Sequence, residues 1–151
     1  MKRPFFLSLL LMGLLLSCSP SPRDIAYGQD ICHYCKMTIV DRQHAAQLVT
    51  DKGKVTNYDA IECMINFVNN NPEMNFAFTL VNDYANPSAL IDAHSSHYLI
   101  SKAIPSPMGR FLSAFSGPEV ALRLQEEKGG KTFDWNGIKK HISSDATNLN
   151  K

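Results

Sequence analysis

The stretch Cys32-His33-Tyr34-Cys35-Lys36-Met37 places two thiols and a thioether within six residues. All three sulfurs are soft donors, the ligand class that selects Cu(I), zinc or iron–sulfur clusters over hard cations. Further sulfur lies at Cys63 and Met64, at Met74 and at Met108. Met64 fits the apolar stripe of a helix and reads first as core. Cys63, one step round the same helix, either edges that core or faces the cluster, and Met74 sits in a polar stretch where it reads as incidental. Met108 lies between Pro107 and Gly109 with no helix or strand face to fill. A stiffened loop of that kind is where a ligand is placed, the alternative being a plug lying back on the core.

Three chemistries compete for the C-x-x-C. A thioredoxin-like pair should follow a strand and open a helix whose N-terminus lowers a thiol pKa. This pair instead follows a polar stretch and leads into strands, so a lipid-anchored thiol–disulfide reductant using Cys32 and Cys35 stands as an alternative only. A zinc-stabilised binding module would need a second ligand pair, for which His94-Ser95-Ser96-His97 is the only candidate. Thioether binds Cu(I) well and zinc poorly, and neither titrates nor forms disulfides, so methionine beside cysteine favours exported copper.

Export is read from the N-terminus. Lys2 and Arg3 precede a nearly unbroken apolar run, Phe5 to Leu16, well short of the ~20 residues a membrane span needs. Leu15-Leu16-Ser17-Cys18 resembles a bacterial lipobox, which makes residues 1–17 a signal peptide and Cys18 an acylated first residue. Ser19 rather than Asp in the next position favours the outer membrane in a host that has two, by the sorting rule of that lipoprotein class. With Cys18 acylated, the remaining thiols are Cys32, Cys35 and Cys63, an odd set that cannot all pair within one chain. The net charge of +1, from 15 Lys+Arg and 14 Asp+Glu, leaves no basic field for nucleic acid.

The elements that must position these sulfurs follow in order. Residues 18–30, with Ser19-Pro20-Ser21-Pro22, read as a flexible tether. His44–Thr50 and Lys54–Tyr58 form a hairpin turning at Asp51-Lys52-Gly53. Asp59 caps a helix, with Glu62 at its third position and Ile61, Met64, Ile65 and Val68 as the apolar stripe. Phe76–Val81 is a strand and Ala89–Ala93 is ambiguous. His97–Ser101 and Phe111–Phe115 form a second hairpin around the Met108 loop, and Ser116 with Glu119 caps a second helix ending at Gly129-Gly130. Lys131–Trp135 reads as a last strand and Ile138–Ile142 as at most a short helix. The expected fold is α+β: two small ββα units, about 31–73 and 74–143, packed as one domain over 31–143, with a disordered tail at 144–151.

Taken together, the residues resemble the NosL family, lipid-anchored accessory proteins of nitrous oxide reductase. The resemblance rests on Cys32-His33-Tyr34-Cys35-Lys36-Met37, where the family usually has Gly at the Lys36 position. It extends over Asp59-Ala60-Ile61-Glu62-Cys63-Met64, Ser106-Pro107-Met108-Gly109, Ala114-Phe115 and Gly129-Gly130. It implies an extracytoplasmic, non-enzymatic Cu(I) metallochaperone built from paired ββα units and anchored to a membrane by lipid. Its expected partner is nitrous oxide reductase, with a copper-handling membrane complex as a second candidate, and the protein itself is expected to be a monomer. Cys35 and Met108 are the implied ligands, and Met37, Cys32, Cys63 and Met64 are candidates to complete the site.

Overall fold

The computed structural model describes residues 19–148, with side chains placed as far as residue 144. Cys18 and the signal segment lie outside the described residues. Among the described residues seven strands and three helices follow in order: β1 (Ala46–Thr50), β2 (Val55–Tyr58), α1 (Ile61–Asn70), β3 (Phe76–Asp83), β4 (Asn86–Asp92), β5 (His97–Ile100), β6 (Leu112–Phe115), α2 (Pro118–Lys128), β7 (Lys131–Phe133) and α3 (Trp135–Asn148). Two antiparallel sheets result, one in the order β2-β1-β3-β4 and one in the order β6-β5-β7.

The two hairpin-then-helix units are present, β1-β2-α1 and β5-β6-α2. The first hairpin turns where expected, Gly53 taking φ 79, a conformation that costs glycine little. Across the turn the Thr50 and Gly53 amides donate to the Lys54 and Thr50 carbonyls at 3.0 and 2.8 Å. β3 completes the first sheet by pairing with β1, and the ambiguous segment is β4, which pairs with β3. The first sheet therefore runs to Asp92, and the division expected at residue 73 falls inside the connection that feeds β3 into it.

One apolar core serves both sheets. Ala46, Leu48, Tyr58 and Val81 from the first meet Tyr98, Leu112 and Ala114 from the second, with Ile61, Met64 and Ile65 of α1 between them. Polar contacts also cross the seam. His44 Nε2 lies 3.2 Å from Ser113 Oγ, and Ser116 Oγ donates to Asp83 Oδ2 at 2.9 Å.

Two further expectations are corrected. The short helix extends in both directions, through residues 144–148 of the expected tail, as α3, a helix of 14 residues; the rest of that tail lies outside the described residues. It begins where the Asp134 side chain accepts the Gly137 amide at 2.7 Å, and Trp135, Ile138 and Ile142 bury one stripe against the core. The expected tether is seated on the first sheet from Arg23 onward. Arg23 and Gln47 exchange two hydrogen bonds, Asp30 binds the Arg23 guanidinium at 2.8 Å and accepts from Asn57 at 2.7 Å, and Ile25 is buried.

Candidate metal centre

Cys32 and Cys35 lie in a tight reversal of the chain. Ile31 and Thr38 form an isolated antiparallel bridge, the Cys32 amide donates to the Met37 carbonyl at 2.8 Å, and the Lys36 amide donates to the Cys32 carbonyl at 3.1 Å. Closing this loop puts Lys36 at φ 66, the left-handed region that a residue with a Cβ enters at a cost. The Lys36 ammonium donates to the His33 carbonyl, and the His33 amide donates to the Asn57 carbonyl at 2.8 Å, which ties the loop to the edge of β2.

That docking brings the loop over the start of α1. One ligand atom from each of Cys32, Cys35, Asp59 and Cys63 falls within 4.8 Å of every other. Cys32 and Cys63 are fully buried, Cys35 is half-buried, and all three are free thiols. The Cys35 thiol donates to Asp59 Oδ1 at 3.2 Å. The protons are unevenly held. Cys32 is drawn down to about 6, chiefly by the hydrogen bond from Cys63, with burial opposing and the backbone N–H groups of Cys35 and Asp59 assisting. Cys35 is pushed up to about 11, first by burial and then, against the Met37 amide, by its neighbours Cys32 and Asp59. Cys63 is pushed up by the hydrogen bond it gives Cys32 and by burial. One negative charge thus rests on Cys32, and an arriving cation would displace protons from the others.

The methionines are placed differently. Met64 is fully buried in the core. Met37 stands on the outside of the cysteine loop at 55% exposure, and Met108 is 38% exposed in the Ser101–Phe111 connection between β5 and β6. The Met108 loop is fastened to the helix that carries Cys63. Ser106 Oγ, two residues before Met108, donates to the buried carboxylate of Glu62 and accepts the Phe111 amide at 2.9 Å. Met74 is exposed after α1. His94 and His97 are not in the cysteine group: His94 packs on Trp135 with ring centroids 5.4 Å apart, and His97 pairs with Phe115 in the second sheet.

Asp59 is the donor that sequence reasoning missed, since it was assigned to cap α1. The available signal was its spacing to Cys63: four residues apart across a helix start puts both side chains on one face. Asp41, His44 and Ser113 align as acid, base and hydroxyl, with 3.0 Å from Asp41 Oδ1 to His44 Nδ1 and 3.2 Å from His44 Nε2 to Ser113 Oγ. Ser113 is fully buried in β6, so its hydroxyl acts as a strut between the sheets rather than a nucleophile open to substrate.

The family model of NosL matches residues 25–143, most of the chain and the whole of the thiol site. The chain belongs to the NosL family. The crystal structure of the copper chaperone NosL from Shewanella denitrificans superposes with a TM-score of 0.65 at 22% identity, covering 78% of this chain and 96% of that one. No curated protein matches the sequence. Lys36, at φ 66, takes the left-handed backbone that glycine adopts most readily. Among the described residues no helix is long and apolar enough to cross a membrane.

Proposed function

We propose that this protein is an extracytoplasmic copper carrier, lipid-anchored through Cys18, that binds Cu(I) and passes it to nitrous oxide reductase, acting as a monomer and without catalysing a reaction. The observation that carries the reading is the gathering of three thiols and one carboxylate within 4.8 Å beneath an exposed loop. Soft thiolate donors fit Cu(I), family membership supports copper as the cargo, and the solved NosL it resembles is described as a copper chaperone.

In this reading Cys32 and Cys35 are the thiolates that take the metal. Cys63 stays a buried thiol whose proton steadies the Cys32 charge. Cys35, the one thiol of the group that is not fully buried, is the point of exchange. Met108 or Met37 supplies one thioether from the exposed side, which gives a three-coordinate site and leaves a position open to an incoming ligand of the partner. Anaerobic competition against a chromogenic Cu(I) chelator tests this. The Cys35→Ser, Met108→Leu double variant should lose affinity by at least on the order of 100-fold, beyond what losing a supporting residue costs, with its fold intact by circular dichroism. Undiminished affinity would refute the assignment.

A second reading is favoured by the carboxylate. Three sulfurs and Asp59 make four donors, the number a closed zinc site uses. Native mass spectrometry of anaerobically purified protein separates the two by metal identity.

A further inference from the structure

The N-terminal segment is seated along the first sheet. Pro20 is packed against the β1–β2 hairpin tip: a Cβ built on Gly53 would lie 3.9 Å from Pro20 Cα. From there the segment runs back along the sheet, Arg23 on Gln47 and Asp30 on Asn57, to the cysteine loop. Cys18 is two residues before Pro20, and two residues of chain reach at most about 7 Å. In the lipid-anchor reading the acyl chains would then start near residues 51–54, all of them exposed.

The same end of the first sheet carries a surface suited to lipid. Register places Val49 opposite Phe78 and Thr50 opposite Phe76, so the start of β3 lies beside the hairpin tip. Phe78 and, just before β3, Met74 are exposed there at 36% and 38%. Lys52 and Lys54 flank them, and so do Asp51 and Glu73, so the charge is mixed and apolar contact leads. Aromatic and thioether groups beside lysine stems match the boundary between acyl chains and headgroup phosphates.

The thiol site is at the other end. Tyr58, next to Asp59, pairs with Ala46, and Ala46 pairs with Val81 far along β3. At ~3.3 Å per residue, Asp59 stands roughly 20 Å from the tip, and Asp83, where β3 ends before the turn at Ala85, roughly 23 Å from Phe76.

We infer that the end of the first sheet formed by Asp51–Lys54, Met74 and Phe78 rests on the bilayer that holds the Cys18 lipid. The thiol cluster is then presented at a fixed height, facing away from the membrane toward a soluble partner. The inference rests on the lipid-anchor reading. Its test is photo-crosslinking of the full-length, acylated protein in vesicles of phosphatidylethanolamine with a minority of phosphatidylglycerol. Benzoylphenylalanine replaces Phe78, Lys52 or, as the contrast, Ala85, and lipid adducts are counted by mass. The expected result is adduct yield at 78 and 52 several-fold above that at 85. Acylated protein with equal yields, or with most adducts at 85, overturns the docking and leaves the anchor standing. An intact mass without acyl chains removes the anchor reading, and the docking with it.

Discussion

The pH dependence of copper affinity tests the assignment of roles within the thiol cluster. Cys32 is held near 6 and Cys35 near 11, while Cys63 is raised by the hydrogen bond it donates and by burial. Between those two values the resting site carries a thiolate on Cys32 and protons on the other two. Binding Cu(I) through Cys32 and Cys35 then releases one proton. Affinity should rise tenfold per pH unit, equivalent to about 1.4 kcal/mol per unit, across the range from pH 6.5 to 8.5. Below about 6 Cys32 also holds its proton, so a second must be displaced and the slope steepens toward a hundredfold per unit. The assay is anaerobic Cu(I) competition at stepped pH, corrected for the chelator's own protonation. A flat profile would mean that thiols do not take the metal. A hundredfold rise per unit above pH 6.5 would mean that Cys63 also ionises and binds, which would refute its role as a hydrogen-bond donor.

Other substitutions probe the supports of the site. Cys63→Ser keeps a donor toward Cys32 and should change Cu(I) affinity by less than about tenfold, whereas Cys63→Ala, which removes the chief hydrogen bond to the Cys32 thiolate, should weaken it by about 10–100-fold. Lys36→Gly should retain copper binding and leave thermal stability equal or slightly higher, since glycine accepts φ 66 without the ~1–2 kcal/mol a Cβ adds; Lys36→Val should lower both, by calorimetry and competition. Asn57→Ala removes one bond to the Asp30 carboxylate and one from Gln47 at a buried position, and should cost about 2–4 kcal/mol in chemical denaturation. The same variant should expose residues 19–31 to proteolysis before the core.

Much of this molecule was readable because its signals are local. Asp51-Lys52-Gly53 between two alternating runs gave the first hairpin, and Pro107-Met108-Gly109 marked the loop of the second. The sulfur set was readable as composition, and Cys63's two options were both visible at once: it is fully buried and also within the cluster. What escaped depended on distant partners. Residues 19–30 have the composition of a linker, yet Gln47 and Asn57, two polar residues whose burial no local pattern announces, hold Arg23 and Asp30 against the sheet. The stripe of α3 was short in apolar residues, and its length came from packing on α1, where Asn69 donates to the Lys139 carbonyl at 3.2 Å.

The helix starts show how the site overrode local rules. Asp59, Glu62 and Ser116 each stood where a capping side chain belongs. None caps: the N-cap positions are Ala60 for α1 and Gly117 for α2, and neither carries a side-chain capping bond. Asp59 instead accepts the Cys35 thiol, Glu62 binds Ser106 beneath the Met108 loop, and Ser116 reaches Asp83 across the seam between the sheets. A cap contributes about 1 kcal/mol, and here each has been given up for a contact that joins segments far apart in the chain. Two of the three join the start of α1 to the two loops that carry the candidate copper ligands. The first turn of α1 is therefore the fixed point of the site: Asp59, Glu62 and Cys63 project from it toward the cysteine loop and the Met108 loop. A disturbance of that turn, such as Ala60→Pro, should loosen both loops together rather than one of them.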